Sequence, residues 1–275
     1  MGELFSRRAA VTVGTLRVTG LRIAFRVTKS AESEANQCEA TIWGLSEASR
    51  GRIQDELPTS LIIEAGYEDS TSTLFYGEAV RPRSVKTPTG WVTKIAGSDG
   101  HTPQREIVNL SMPPDTSVGD AIATIARKMK VGASTALRRA LAGDFDGGLS
   151  AFANGLTFSG SAKEEMDKLT SSLGVEWSIQ DGELLILNEG DTAGEAVLLS
   201  PDTGLIGSPE TAQDAKNKSL TLVRCRSLLQ GIINPGRRLE LESEAISGSY
   251  QVRKVMHQGD THGPGWYSDL ESREL

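Results

Sequence analysis

At 275 residues the chain can form one large domain or two to three small ones, with ample length to bury a core. Its formal net charge of −7 speaks against sequence-independent DNA binding, which needs a basic footprint. Its 29 glycines and 5% aromatics favour many short strands over a helical bundle.

Along the chain, Leu21 to Thr28 alternates apolar and polar residues as a half-buried strand does, and Cys38, Ala40 and Ile42 repeat the pattern. A short helix is expected behind Ser46 as N-cap, ending before Pro58. Leu61–Tyr67 and Leu74–Gly77 read as two strands joined by the polar loop Asp69–Ser72. Val80–Lys86 and Trp91–Ile95 follow as two more, around the turn Thr87–Gly90. After Gly100 the period changes. Val118, Ile122, Ile125 and Met129 recur at helical spacing behind Thr116 and Ser117, with Gly132 placed to cap the end. A second helix starts at Ser161, with Glu164 set for a capping box and Met166, Leu169 and Leu173 as its apolar face before Gly174. Asp181-Gly182 between two apolar runs predicts a tight hairpin, because a type I′ turn needs positive φ at both central positions. Leu198 opens a strand and a Pro/Gly-punctuated connector. From Leu220 onward short strands alternate with turns at Pro235-Gly236 and Gly259-Asp260.

Chemistry is sparse. The three histidines, His101, His257 and His262, each lie near an acid, Asp99 or Asp260, so a metal-dependent hydrolase is a conceivable alternative. His257 and His262 flank a turn glycine, however, and no zinc signature accompanies them. Asp260 is expected to brace its own turn. Asp144 and Asp146 lack the further ligands of a calcium loop. Neither a nucleophile elbow nor a phosphate loop occurs, and the carboxylate pairs Glu164/Glu165 and Glu240/Glu242 are expected on solvated faces. Arg7-Arg8, Arg138-Arg139 and Arg237-Arg238 are scattered, as solvated or interface arginines are. Cys38 and Cys225 have neither metal-ligand nor disulfide spacing and are expected as buried thiols. Catalytic, cofactor and metal residues are therefore expected to be none. No apolar run reaches the ~20 residues of a membrane span. The start Met1–Arg8 lacks the order of a secretory signal, so synthesis in a cytoplasm without a membrane anchor is expected.

Two stretches carry a resemblance. Leu228–Ser243, Gly248–Gly263 and Trp266–Arg273 together are similar to the strand-and-turn run that closes phage tail baseplate hub proteins of the late-control-protein-D and T-even central-hub family. Ala40-Thr-Ile-Trp-Gly-Leu-Ser-Glu-Ala-Ser-Arg, followed by Ala65-Gly-Tyr, Leu74-Phe-Tyr-Gly-Glu and Ala96-Gly-Ser-Asp-Gly-His, resembles the first barrel of the same family. The resemblance implies a mainly β protein in which two tail-tube-like β-barrels, residues 1–97 and 212–275, flank an α+β middle domain, residues 98–211. It implies a structural protein rather than an enzyme: a homotrimer adapting a hexameric tail tube to a trimeric spike, in contact with other baseplate proteins, with DNA only in transit through its channel. Its place would be the virion tail, after assembly in the host cytoplasm. The hub of a related contractile injection system is the alternative. Leu239, Leu241 and Trp266 are expected in the barrel core.

Overall fold

The computed structural model describes residues 6–68, 70–134, 151–188, 190–213 and 221–275. The first run of elements is β1 (Arg7–Val13), β2 (Leu16–Val18), β3 (Ile23–Ser30), β4 (Asn36–Trp43), α1 (Glu47–Asp55), β5 (Ser60–Tyr67), β6 (Ser70–Thr87) and β7 (Gly90–Asp99). The alternation in β3 and β4 sends Ile23, Phe25, Val27, Cys38, Ala40 and Ile42 into one core with Leu61, Ile63 and Phe75. Ser46 caps α1 by accepting from the Ser49 N–H. Where the sequence suggests separate strands at Leu74–Gly77 and Val80–Lys86, the chain forms one 18-residue strand, β6. A bulge absorbs the irregularity there: the pairing of β6 with β7 shifts between Val80 and Arg83, and Arg81 takes φ 46°.

The middle elements are α2 (His101–Arg105), β8 (Ile107–Met112), β9 (Thr116–Ser117), α3 (Val118–Met129), β10 (Gly132–Ala133), β11 (Ala151–Phe152), β12 (Leu156–Ser161), α4 (Ala162–Leu173), β13 (Glu176–Gln180) and β14 (Glu183–Leu187). Helices α3 and α4 press Ile122, Ile125, Met129, Met166 and Leu169 against Trp177, Ile179 and Leu184 in a second core. Ser161 and Glu164 form the expected capping box, and Gly174 ends α4 at φ 68°. The end of α3 differs from expectation. Lys130, not Gly132, takes the left-handed position at φ 58°, which frees Gly132 to pair in parallel with Glu183. Asp181 and Gly182 hold φ 53° and 82°, the signature of the tight hairpin turn.

The last run is β15 (Val197–Leu199), a 3-10 turn (Pro201–Thr203), β16 (Leu205–Gln213), β17 (Thr221–Leu228), β18 (Arg238–Leu241), β19 (Gly248–Asp260) and β20 (Trp266–Glu274). A third core gathers Leu199, Val223, Ile233, Leu239, Leu241, Tyr250, Val252 and Leu270. Leu239, Leu241 and Trp266 are buried as expected, though Trp266 belongs to the first core, edge-on to Phe25 at 5.5 Å between ring centres.

Among the described residues, thirteen strands make one sheet in the order β16-β17-β20-β19-β3-β4-β7-β6-β5-β1-β2, with β18 on β19 and β15 on β18. This pairing path is open at both ends and closes neither half into a barrel. The halves instead run into each other: β19 and β3 pair antiparallel from Lys254↔Ser30 to Asp260↔Ala24, a junction the sequence does not announce. The strand order also repeats. β3-β4-β7-β6-β5-β1 in the first half matches β16-β17-β20-β19-β18-β15 in the second. In each set one long strand, β6 or β19, carries a short strand on its N-terminal part and a bulge in mid-course. The sets differ at their far ends, where β1 runs antiparallel to β5 but β15 runs parallel to β18.

Candidate functional site

The histidine–aspartate constellation does not assemble. His257 is wholly buried on β19 and shares a hydrogen bond between Nδ1 and Ser268 Oγ at 2.8 Å. Burial and the nearby Lys29 charge hold its pKa down to about 3, so the ring is neutral. Asp260 sits in the β19–β20 turn, where its Oδ1 accepts the His262 N–H at 2.9 Å, as an Asx turn requires. Its carboxylate also takes the Arg22 guanidinium at 2.8 Å, and that hydrogen bond holds its pKa below the usual carboxylate range. His262 is exposed, and His101 lies on α2 beside Arg105. No group of three His, Cys, Asp or Glu side chains stands together among the described residues. Asp144, Asp146 and the pair Arg138-Arg139 lie outside those residues.

Both thiols are buried, and burial raises the pKa of Cys38 and pushes that of Cys225 up to about 12. No helix among the described residues is long and apolar enough to cross a membrane.

A polar node joins the middle unit to both halves of the sheet. The Lys29 side chain, fully buried, donates to Asp181 Oδ2 at 2.6 Å and to Asn234 Oδ1 at 3.1 Å. Asp181 also accepts the Tyr76 N–H at 3.1 Å, so the tip of the β13–β14 hairpin is held by β3, β6 and the β17–β18 loop at once. Asn36 and Gln180 extend the contact: Asn36 Nδ2 donates to the Ile179 carbonyl at 2.8 Å, and Gln180 Nε2 to the Ser30 carbonyl at 2.7 Å. Asp99, nearly inaccessible, has its pKa raised to about 6, first by burial and then by the negative charge of Asp181.

The second feature is one polar face running across both halves of the sheet. On it arginines and carboxylates from neighbouring strands pair: Arg224 with Glu271 at 2.7 Å, Arg226 with Asp269 at 2.6 Å and, from before β3, Arg22 with Asp260. Arg26 donates to Gln258 at 3.2 Å across the β3–β19 junction. Tyr267 lies under Arg226 at 4.1 Å, and Trp43 under Arg22 at 4.4 Å. Such exposed pairs add little stability. Their effect is to leave Arg22, Arg224 and Arg226 already neutralised by a carboxylate, and Arg22 and Arg226 also covered by a ring.

The third feature is two of the sheet's open edges. β6 pairs with β5 from Ser70 to Glu78, so beyond the bulge its stretch from Arg83 to Thr87 is bonded, among the described residues, to β7 on one side only. Among the described residues β16 likewise has a strand partner, β17, on one side only. Exposed apolar side chains sit on both: Val80 and Val85 on β6, 39% and 44% exposed, and Ile206 on β16, 39% exposed. The alternation of the sequence shows these as ordinary strands. That they are edges depends on pairings between residues far apart in the chain.

Comparison with known proteins places the fold. A family described as Baseplate hub gp41 matches residues 8–270. No curated protein matches the chain by sequence. Among solved structures, a tail protein from Neisseria meningitidis MC58 is similar with a TM-score of 0.69 at 11% identity, covering 98% of this chain and 97% of that one. The 43 kDa tail protein of prophage MuSo2 from Shewanella oneidensis gives 0.66 at 9% identity, covering 98% and 97%. An E. coli component of the type VI secretion system gives 0.60 at 8% identity, covering 96% of this chain and 76% of that one. At such identities the likeness is one of fold.

Proposed function

The chain belongs to the baseplate hub gp41 family of phage tail structural proteins, and from that premise we propose that it works as a homotrimeric adapter at the tail baseplate. The observation that carries this reading is the repeated strand order within one sheet. A trimer of a twice-repeated unit offers six similar strand sets towards a hexameric tail tube, yet keeps true threefold symmetry for a trimeric spike. In this reading each strand set, curling around its own apolar core without closing, takes the place of a tube-like barrel, and the elements from α2 to β14 form the middle domain. The sequence alone suggests the boundary between middle domain and second barrel at residue 211. We place it near 196, because β15 and β16 pair with β18 and β17.

The polar face with its compensated arginines would line the channel. A passing DNA backbone is attracted by unpaired cations and releases counterions on meeting them. Cations already matched to carboxylates give it little to bind. The protein's function is then geometric, without a catalytic step. A hub of a type VI-like secretion machine is the second reading, favoured by the fold shared with the E. coli component.

Light scattering across a concentration series, alone and with the cognate spike and tube proteins, tests the proposal. A mass of three chains supports it. A chain that stays monomeric alone and with both partners overturns it.

A further inference from the structure

The tip of the β13–β14 hairpin sits in a cradle that gathers more charge than burial favours. Asp99, the last residue of β7, faces the backbone N–H groups of Asp181 and Gly182 in the turn. Asp181 takes the Lys29 ammonium at 2.6 Å and the Tyr76 N–H at 3.1 Å. The seat is close: a Cβ on Gly182 would stand 3.2 Å from the Tyr76 ring. Two carboxylates are thus brought towards one buried ammonium, and Asp99 has both burial and the charge of Asp181 set against its ionisation. The other clasps of the middle unit lie away from the tip. Gln104 Nε2 donates to the Ser33 carbonyl at 2.8 Å and Lys163 to Ser33 Oγ at 2.9 Å. Arg253, at the bulge of β19, donates to Glu176 at 2.9 Å.

The charged and titratable groups around the cradle come from every element packed on it. β4 contributes Cys38, whose ionisation burial disfavours, and β19 contributes His257 near Lys29, held neutral by burial. Glu183 on β14 and Arg237, just ahead of β18, line a cavity of about 440 Å³ beside Asp181. Glu78 on β6 and His101 on α2 are exposed.

We propose that the hairpin tip is a proton-coupled latch between the middle unit and the sheet: it seats with a proton on Asp99 and loosens where that proton leaves. A carboxylate that is merely ion-paired loosens as acid protonates it; this seat tightens instead. Seated, Asp99 keeps its proton up to about pH 6. Unseated, it meets water and titrates as a free aspartate, near 3.9. Its contribution to seating is therefore full below about pH 4 and is lost as pH rises through 6. At neutral pH the tip is where the middle unit parts from the sheet first, while the clasps at Ser33 and Arg253 keep it attached. The latch lies within one chain and does not depend on how many copies assemble.

Hydrogen exchange of the full chain, read by mass spectrometry at about pH 5 and about pH 7.5 and corrected for intrinsic rates, tests the latch. Peptides holding Tyr76 and the Asp181-Gly182 turn are expected to open roughly tenfold more often at the higher pH. Peptides from α3 and β17 are expected to change much less. Asp99→Asn should flatten the response and leave the tip more protected than in the native chain at the higher pH; His101, His257 and His262 remain in that variant, so the difference belongs to Asp99. A native tip whose opening ignores pH overturns the latch, and so does an Asp99→Asn chain that keeps the native slope. A change of equal size in α3 and β17 also overturns it, because the effect then belongs to the whole fold. Should Asp99→Asn fail to fold, the Asp99 carboxyl carbon is titrated by NMR in the native chain: a midpoint near 6 supports the latch and one near the ordinary 3.9 overturns it.

Discussion

Several charged or titratable side chains are buried in this molecule, and each has a stability consequence of its own. Lys29 is fully enclosed, and its ammonium is balanced by Asp181, whose side chain is 31% exposed. Removing one partner of such a pair leaves a charge without compensation, whereas removing both can be nearly neutral. Lys29→Met is therefore expected to cost about 3 kcal/mol in urea unfolding, and Lys29→Met with Asp181→Asn clearly less. Asp99 gives a prediction of opposite sign. Its folded pKa, about 6, lies above that of a free carboxyl, so the folded state holds the proton more tightly and the group works against folding at neutral pH. Asp99→Asn should stabilise the chain by about 2 kcal/mol at pH 8, an advantage that fades as pH falls towards 4; thermal melts of both proteins across that range check it. His257 pulls the other way. Its pKa of about 3 lies below that of free imidazole, so its neutral burial costs stability as pH falls below about 6.5 in both proteins, and their difference isolates Asp99. None of these roles was legible in the sequence. Lys29 lies just past the alternating stretch Leu21 to Thr28, and its partners Asp181 and Asn234 are more than 150 residues away.

At the level of elements, the sequence is informative where the physics is local. The Ser161–Glu164 capping box, the Asp181-Gly182 turn and the alternation of β3 and β4 are each decided by a few adjacent residues, and each is found as read. Ser161→Ala should cost about 1 kcal/mol in chemical denaturation, and Ser161→Thr much less, because threonine keeps the oxygen that accepts the Glu164 N–H. Where elements depend on distant partners, reading fails. Leu74–Gly77 and Val80–Lys86 read as two strands, but β7 pairs with β6 from Glu78 to Thr87 and carries it through as one bulged strand. β8 alternates only over the five residues Val108 to Met112, a short signal, and it is held as a strand by β12, which pairs with it from Ile107↔Ser161 to Met112↔Leu156. The left-handed turn at Lys130 rather than Gly132 likewise follows from a tertiary demand: Gly132 has to lie alongside Glu183.

For the whole molecule, resemblance carried the family and the strand-rich architecture, while the connection between the halves came only from the three-dimensional pairing. Turn signals such as Pro235-Gly236 and Gly259-Asp260 mark where strands end but not which strands meet. The β19–β3 junction also orders events in time. β3 is finished by residue 30, yet the strand that covers its edge ends at residue 260. At typical rates of about 5 to 20 residues per second, a nascent chain carries that bare edge for on the order of ten to fifty seconds. A chain stopped at residue 247 keeps β1 to β7 but never covers β3, and it is expected to elute as aggregate in size exclusion where the full chain stays dispersed. The final strands therefore complete more than their own set: until Lys254–Asp260 lie against Ser30–Ala24, the first set of strands ends in a bare edge in the middle of what will be one sheet.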